Sequence, residues 1–299
     1  MRRSIPMRLA ILSMSLLLAW LSCRLAPNAS ADEPKVDEEK KAAKERKEQY
    51  EKWMREYSEG TTINLVGEGK EAGQTAKLAA KPVFRYSGDN IFADNATLWV
   101  WTHDARPVAF QKIEVNNIGG QRQWTICFGS VYEGLFDAHW PSGRHFSSRA
   151  PGVEFRPIPE TAAPSDDAKA RTRQLKRLKD RFTGRVDGHG PRGVIKYDLK
   201  PLPTPIFEYA DPKSGLPLGA VFSLVNHEKG ELNPVFLLLL EAKSDGDGKL
   251  RWEYAARRLT IWSARLLLDE KEVFSLPIVQ INDQVHDDWT FYMLPRDFE

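Results

Sequence analysis

Lys81-Pro82-Val83-Phe84-Arg85-Tyr86 and Thr204-Pro205-Ile206-Phe207-Glu208-Tyr209 are one phrase written twice, 123 positions apart. Outward from this pair the likeness continues in order. Leu98-Trp99 falls on Val221-Phe222 at the same displacement. After a four-residue insertion in the second copy, Pro107-Val108 falls on Pro234-Val235 and Glu114 on Glu241, and one further step brings Trp124 onto Trp252. Each stretch reads as a Pro-x-Phe-x-Tyr lead, a short strand, a turn, a long strand ending at Glu, a turn and a Trp-bearing strand. Sheets share a composition, but composition does not preserve the order of six anchors, so the reading is duplication of one β-meander.

The strands themselves follow from period-two patterns. Trp124, Ile126 and Phe128 alternate with Thr125, Cys127 and Gly129, as in a half-buried strand. Val235 to Leu240 is a six-residue apolar run suited to a central strand covered on both faces. Ser244 to Lys249, with Gly246 and Gly248, supplies a hairpin turn before Leu250, Trp252, Tyr254 and Ala256, and Trp289 to Leu294 is a last strand.

Helical patterns occur in two places. Glu, Lys and Ala dominate residues 32–57, where only Tyr50, Trp53, Met54 and Tyr57 make an apolar stripe, with Gly60 as the stop. Between the two β-rich stretches, Pro164-Ser165-Asp166-Asp167 opens a second helix capped by Ser165 or Asp166. Its stripe is Ala168, Thr172, Leu175, Leu178 and Phe182, and Gly184 ends it. The opposite face, with Lys169, Arg171, Arg173, Lys176, Arg177, Lys179 and Arg181, reads as a solvated face; an anionic polymer or lipid surface is the functional alternative. The expected fold is therefore mainly β (α+β): two related antiparallel β-meander units joined by an amphipathic helix, with an N-terminal charged helix. The expected division is 1–31 signal peptide, 32–60 charged arm, 61–160 first unit, 161–186 linker helix and 187–299 second unit.

The first segment reads as an export signal. Arg2, Arg3 and Arg8 precede an apolar run from Leu9 to Leu21, and Ala29-Ser30-Ala31 is a cleavage pattern before Asp32. The run is shorter than the roughly 20 residues a membrane span requires. Lipid anchoring through Cys23 is a second choice, because Trp20 sits three positions before it. Cleavage removes Arg2, Arg3, Arg8 and Arg24 and no acid, so 39 basic side chains face 41 acidic ones and the formal charge moves from +2 to −2. The basic balance of the whole chain thus gives no reason to expect a nucleic-acid partner. Only Cys127 remains, so no internal disulfide is available, and its strand context marks it as a buried thiol.

Motifs for chemistry are scarce. Gly67-Glu68-Gly69-Lys70-Glu71-Ala72-Gly73 lacks the Gly-Lys-Ser/Thr ending of a phosphate loop, Gly129-Ser130-Val131-Tyr132 lacks the second glycine of a nucleophile elbow, and no local zinc spacing occurs. No cofactor is expected. Weak ligand-site candidates remain: His103-Asp104 and His227-Glu228, which follow equivalent short strands, and His139 with Trp140 in a Pro/Gly loop, where Trp140 is the best candidate for an exposed sugar-stacking ring.

Several segments also resemble a family of uncharacterised secreted proteins found repeatedly in planctomycete bacteria. They are Leu98-Trp99-Val100-Trp101 with Arg106-Pro107-Val108-Ala109, the helix from Arg173-Gln174-Leu175 to Arg181-Phe182, Leu202 to Tyr209, and Val235 to Ala242. Where that family carries an acidic residue before the apolar strand, this chain has Asn233-Pro234-Val235. The resemblance implies export and a shared fold, and no activity. The favoured function is a non-catalytic cell-envelope binding protein for a partner, an anionic or carbohydrate polymer, or a small ligand. The alternatives are an extracytoplasmic hydrolase with dispersed residues such as His103, Asp104, His139 and His227, and a structural or assembly component.

Overall fold

The chain is mainly β, with antiparallel sheets and, among the described residues, two α-helices. The computed structural model describes residues 33–67, 73–88, 93–118, 121–190, 193–226, 232–245, 247–279 and 284–294. His227, Glu228, the export signal and Cys23 lie outside them. In chain order the elements begin with α1 (Glu33–Glu59), β1 (Thr62–Val66), β2 (Lys77–Leu78), β3 (Phe84–Gly88), β4 (Ala93–His103), β5 (Arg106–Ile118) and β6 (Gln121–Ser130). Next come β7 (Leu135–His139), β8 (His145–Ser147), β9 (Arg156–Pro157) and α2 (Ala168–Lys179). The rest are β10 (Phe182–Gly190), β11 (Gly193–Pro201), β12 (Phe207–Asp211), β13 (Leu216–Val225), β14 (Phe236–Ser244), β15 (Leu250–Arg258), β16 (Ser263–Leu268), β17 (Lys271–Leu276), β18 (Gln284–Val285) and β19 (Trp289–Leu294). Among the described residues no helix is long and apolar enough to cross a membrane.

Residues up to Ala43 form one unit, which contributes the exposed, charge-rich start of α1 from Asp37 on; residues 44–299 form the other. In that second unit the end of α1 is held by its apolar stripe. Met54 and Tyr57 are buried, and Trp53 packs on Trp124 with ring centroids 4.2 Å apart. Each such fully buried side chain contributes about 2 kcal/mol from apolar area alone.

The pairing registers of the two halves coincide position by position. Phe84, Arg85 and Tyr86 face Leu98, Thr97 and Ala96, then a bulge intervenes before Gly88 faces Ala93. Phe207, Glu208 and Tyr209 face Val221, Ala220 and Gly219, and a bulge again precedes Asp211 facing Leu216. Ala96 faces Glu114 as Gly219 faces Glu241. Val115 faces Trp124 as Ala242 faces Trp252. The match extends past the stretches that the sequence aligns. Strand β1 pairs with β7, and β7 with β8, in the way that β10 pairs with β16, and β16 with β17: Ala138 faces Phe146, and Leu266 faces Phe274.

Among the described residues, three large apolar cores separate the layers, beside a small cluster of Tyr86, Ala93 and Ala96. Leu98, Val100, Phe110 and Cys127 from the first sheet meet Val221, Leu237, Leu239 and Ala255 from the second in a shared core. The opposite face of β4–β6, bearing Trp99, Trp101, Ile126 and Phe128, is covered by α1 and by β1, β7 and β8. That of β13–β15 is covered by α2, β10, β11 and β16. Three expectations are corrected here. Strand β6 is buried on both faces rather than one, because both its faces meet a core. Helix α2 is capped by Asp167, whose Oδ1 accepts from the Ala170 N–H at 2.7 Å, and it ends at Lys179. Phe182 therefore opens β10 instead of closing the helix, and Gly184 sits inside that strand against Leu199. Lys179, assigned to the solvated face, is buried and bonded to Asp180.

Candidate functional site

The edges of β6 and β15 are treated differently, and that difference makes a groove. Strand β19 pairs with β6 over its whole length, from Leu294 facing Trp124 to Trp289 facing Gly129. At β15, the corresponding strand β9 pairs only at Pro157 facing Glu253 and Arg156 facing Tyr254, extended by the Ile158 N–H donating to the Trp252 carbonyl at 2.9 Å. The exchange is reciprocal. The strand that follows β8 joins the second sheet, and the strand that follows β17 joins the first.

Beyond Arg156 the chain leaves β15, opening a cavity of about 620 Å³ between Pro151–Arg156 on one side and Tyr254–Arg257, Val273 and Phe274 on the other. This volume suits a small ligand or a short chain segment. Phe155, Val273 and Phe274 are half-buried and give the walls an apolar surface. The charged groups are paired with one another. Arg257 donates to both oxygens of Asp288, at 2.5 and 3.1 Å, and to the Gly152 carbonyl at 3.1 Å. Arg156 donates to Glu154 at 2.9 Å. Glu133 lies 3.3 Å from Arg106 and 3.5 Å from Lys243.

Glu133 also lines a second pocket of about 150 Å³, together with His103, Asp104, Arg106, Asp211 and Ser214. This is room for only a few water molecules at about 30 Å³ each. His103 and Asp104 close the β4–β5 turn, where Asp104 and Ala105 adopt φ of 45° and 65°, the left-handed pair of a tight hairpin. The Nε2 of His103 is buried without a hydrogen-bond partner and stands 3.5 Å from the exposed Asp104 carboxylate. The other named candidates are elsewhere. His139 is exposed on β7, its ring stacked on His145 at 6.3 Å. Trp140 is 4% exposed, with its indole N–H donating to Gln111 Oε1 at 2.6 Å. The expected exposed platform at Trp140 is thus corrected: its ring packs against Phe128 and Tyr292 in the core.

Behind the small pocket lies a matched pair of buried polar contacts. Tyr209 donates to Glu241 at 2.8 Å, and Arg106 from the other half donates to the same carboxylate at 2.9 Å. Tyr86 donates to Glu114 at 2.5 Å, and Asn233, at the position equivalent to Arg106, accepts from Lys112 at 3.0 Å beside them. Burial pushes the Glu241 carboxyl above its ordinary range, against the pull of Arg106 and Tyr209. It likewise pushes both phenols well up, Tyr209 with Glu241 and Tyr86 with Glu114 adding to the effect. Protons therefore stay on the tyrosines, and the halves are joined beside these pairs by Arg106 on Glu241 and by Lys112 on Asn233.

Sequence reasoning did not find the groove. Its one legible trace is Arg156-Pro157-Ile158-Pro159, where two prolines interrupt the strand that runs unbroken as Trp289 to Leu294 in the other half. No protein-family model, curated protein or solved structure matches the chain.

Proposed function

We propose that the protein is an exported, non-catalytic envelope binding protein, built by duplication of one α/β-meander unit and taking its ligand in the groove beside β15. The observation that carries the reading is the groove itself: about 620 Å³, open, walled by Phe155, Val273 and Phe274, with its ionic groups already neutralised in pairs. A surface that pairs its charges and presents apolar walls favours binding over proton transfer. Export is supported by the Arg2, Arg3 and Arg8 start, the apolar run and Ala29-Ser30-Ala31. The duplication is supported by the common registers, bulges included.

A thermal-shift series on the chain purified after export tests the reading. The probes are an unfolded peptide pool, an anionic polysaccharide and a neutral glucan. One class should raise the melting temperature, and Phe155→Ser and Val273→Glu should each abolish the rise while leaving the unliganded transition cooperative. A rise that survives both substitutions, or no rise with any class, removes the groove as the binding surface.

A further inference from the structure

The groove ends at a strand edge whose backbone groups have no strand to pair with among the described residues. Leu259 donates its N–H to the carbonyl of Val235, the residue just before β14, and Ile158 donates from the other side to the Trp252 carbonyl. Backbone groups alternate along an antiparallel strand, so Tyr254, Ala256 and Arg258 turn theirs away from β14. Tyr254 is partnered by Arg156. Ala256, which lines the groove, faces no strand among the described residues; Arg258 beyond it is buried, its guanidinium held by the Thr260 and Pro277 carbonyls. At the equivalent edge Phe128 faces Thr290, and Ser130 donates to the Asp288 carbonyl at 3.0 Å. Edge groups left open in this way are a template for another strand, and proteins commonly cover or disrupt them.

We propose that this edge is a strand-addition site: an extended, apolar peptide segment of a partner protein pairs antiparallel with β15 at Ala256. The proposal rests on the groove being the binding surface and adds the class of ligand and its mode of binding. Three observations fix the occupant's chemistry. The equivalent edge shows which kind of strand this fold accepts, since it carries Trp289-Thr290-Phe291-Tyr292-Met293-Leu294, aromatic and apolar apart from Thr290. The walls offered by Phe155, Val273 and Phe274 suit side chains of that kind. The acids and arginines around the groove are engaged with one another, so a charged ligand would have to break existing pairs to be recognised. Peptides bound in this mode gain affinity from main-chain hydrogen bonds and specificity from alternate side chains.

The probe is a labelled synthetic peptide of sequence Asp287–Leu294, the strand that fills the equivalent edge, titrated with the full chain and read by fluorescence anisotropy. Saturable binding with one site is expected. A peptide N-methylated on one alternate set of residues should bind at least tenfold more weakly, and one methylated on the intervening set within about twofold of the parent. Ala256→Pro, which removes the edge N–H, should weaken binding at least tenfold; the methylation series uses the unaltered protein and stands even where that variant fails to fold. Absence of saturable binding overturns strand addition, as does a loss that shows no two-residue alternation. The two levels separate cleanly. Binding that is abolished by Val273→Glu but indifferent to methylation keeps the groove and ends the strand-addition proposal, whereas binding unaffected by Val273→Glu ends both.

Discussion

The smallest scale at which the two halves can be compared is a pair of tyrosines. Tyr86 and Tyr209 are both 5% exposed, and each donates to a glutamate at the same register position, Glu114 or Glu241. Removing either hydroxyl leaves a buried carboxylate short of a donor, which costs about 1–3 kcal/mol. Tyr86→Phe and Tyr209→Phe are therefore expected to lower stability by similar amounts in urea denaturation; a loss confined to one of them would separate the two sites. Where equivalent residues of the halves meet, symmetry is broken by size: Gly129 and Arg257 occupy matching positions on β6 and β15. A Cβ on Gly129 would lie 2.8 Å from the Arg257 Nε, and that guanidinium is clamped by Asp288. Gly129→Ala should then destabilise by about 1–3 kcal/mol through overpacking, measured by the same denaturation. His286 adds a pH dependence. Burial first, and Arg258 next, hold its pKa below the ordinary value, so the unfolded chain binds the proton more readily. Its contribution is complete above about pH 6.5 and is lost as pH falls through that value toward the folded pKa. His286→Gln should flatten the pH-dependence of stability between pH 7 and 5.5, and an unchanged slope would contradict this assignment.

At the scale of elements, the leading phrase and the order of β3 to β6 against β12 to β15 were legible because strand periodicity and six anchor residues recur in both halves. The match of β1, β7 and β8 to β10, β16 and β17 was not, since it lies in which backbone faces which. Ala138 and Leu266 share a register and a place in a core, but not a side chain. Trp140 misled for a related reason: a Pro/Gly loop was read as exposed, but Gln111 offered its indole N–H a buried acceptor. The contrast between β9 and β19 is an element-scale prediction in its own right. Pro157 faces Glu253, whose backbone groups turn toward β14, so the missing N–H of Pro157 points away from β15 and costs no ladder bond. Thr290 faces Phe128 at a hydrogen-bonded position. Thr290→Pro should cost about 3 kcal/mol or more and shift the urea midpoint strongly, whereas Pro157→Ala should shift it little.

For the molecule as a whole, residues 44–299 are organised as two units that share a central core and lend each other a strand. Their outer cores are separate, one closed by the tail of α1 and the other by α2. The loan is unequal, because β19 covers six residues of its host edge and β9 covers two. That inequality is what leaves the groove, and it could not be read from either half alone. Amide hydrogen exchange tests it directly by comparing the same position in both units. The Phe128 amide, laddered to β19, should exchange as slowly as the core, and the Ala256 amide, facing the groove, at least a hundredfold faster until the Asp287–Leu294 peptide is added. Equal, deep protection of both amides in the free protein would mean that the two edges are covered alike and that the groove is not an open strand slot.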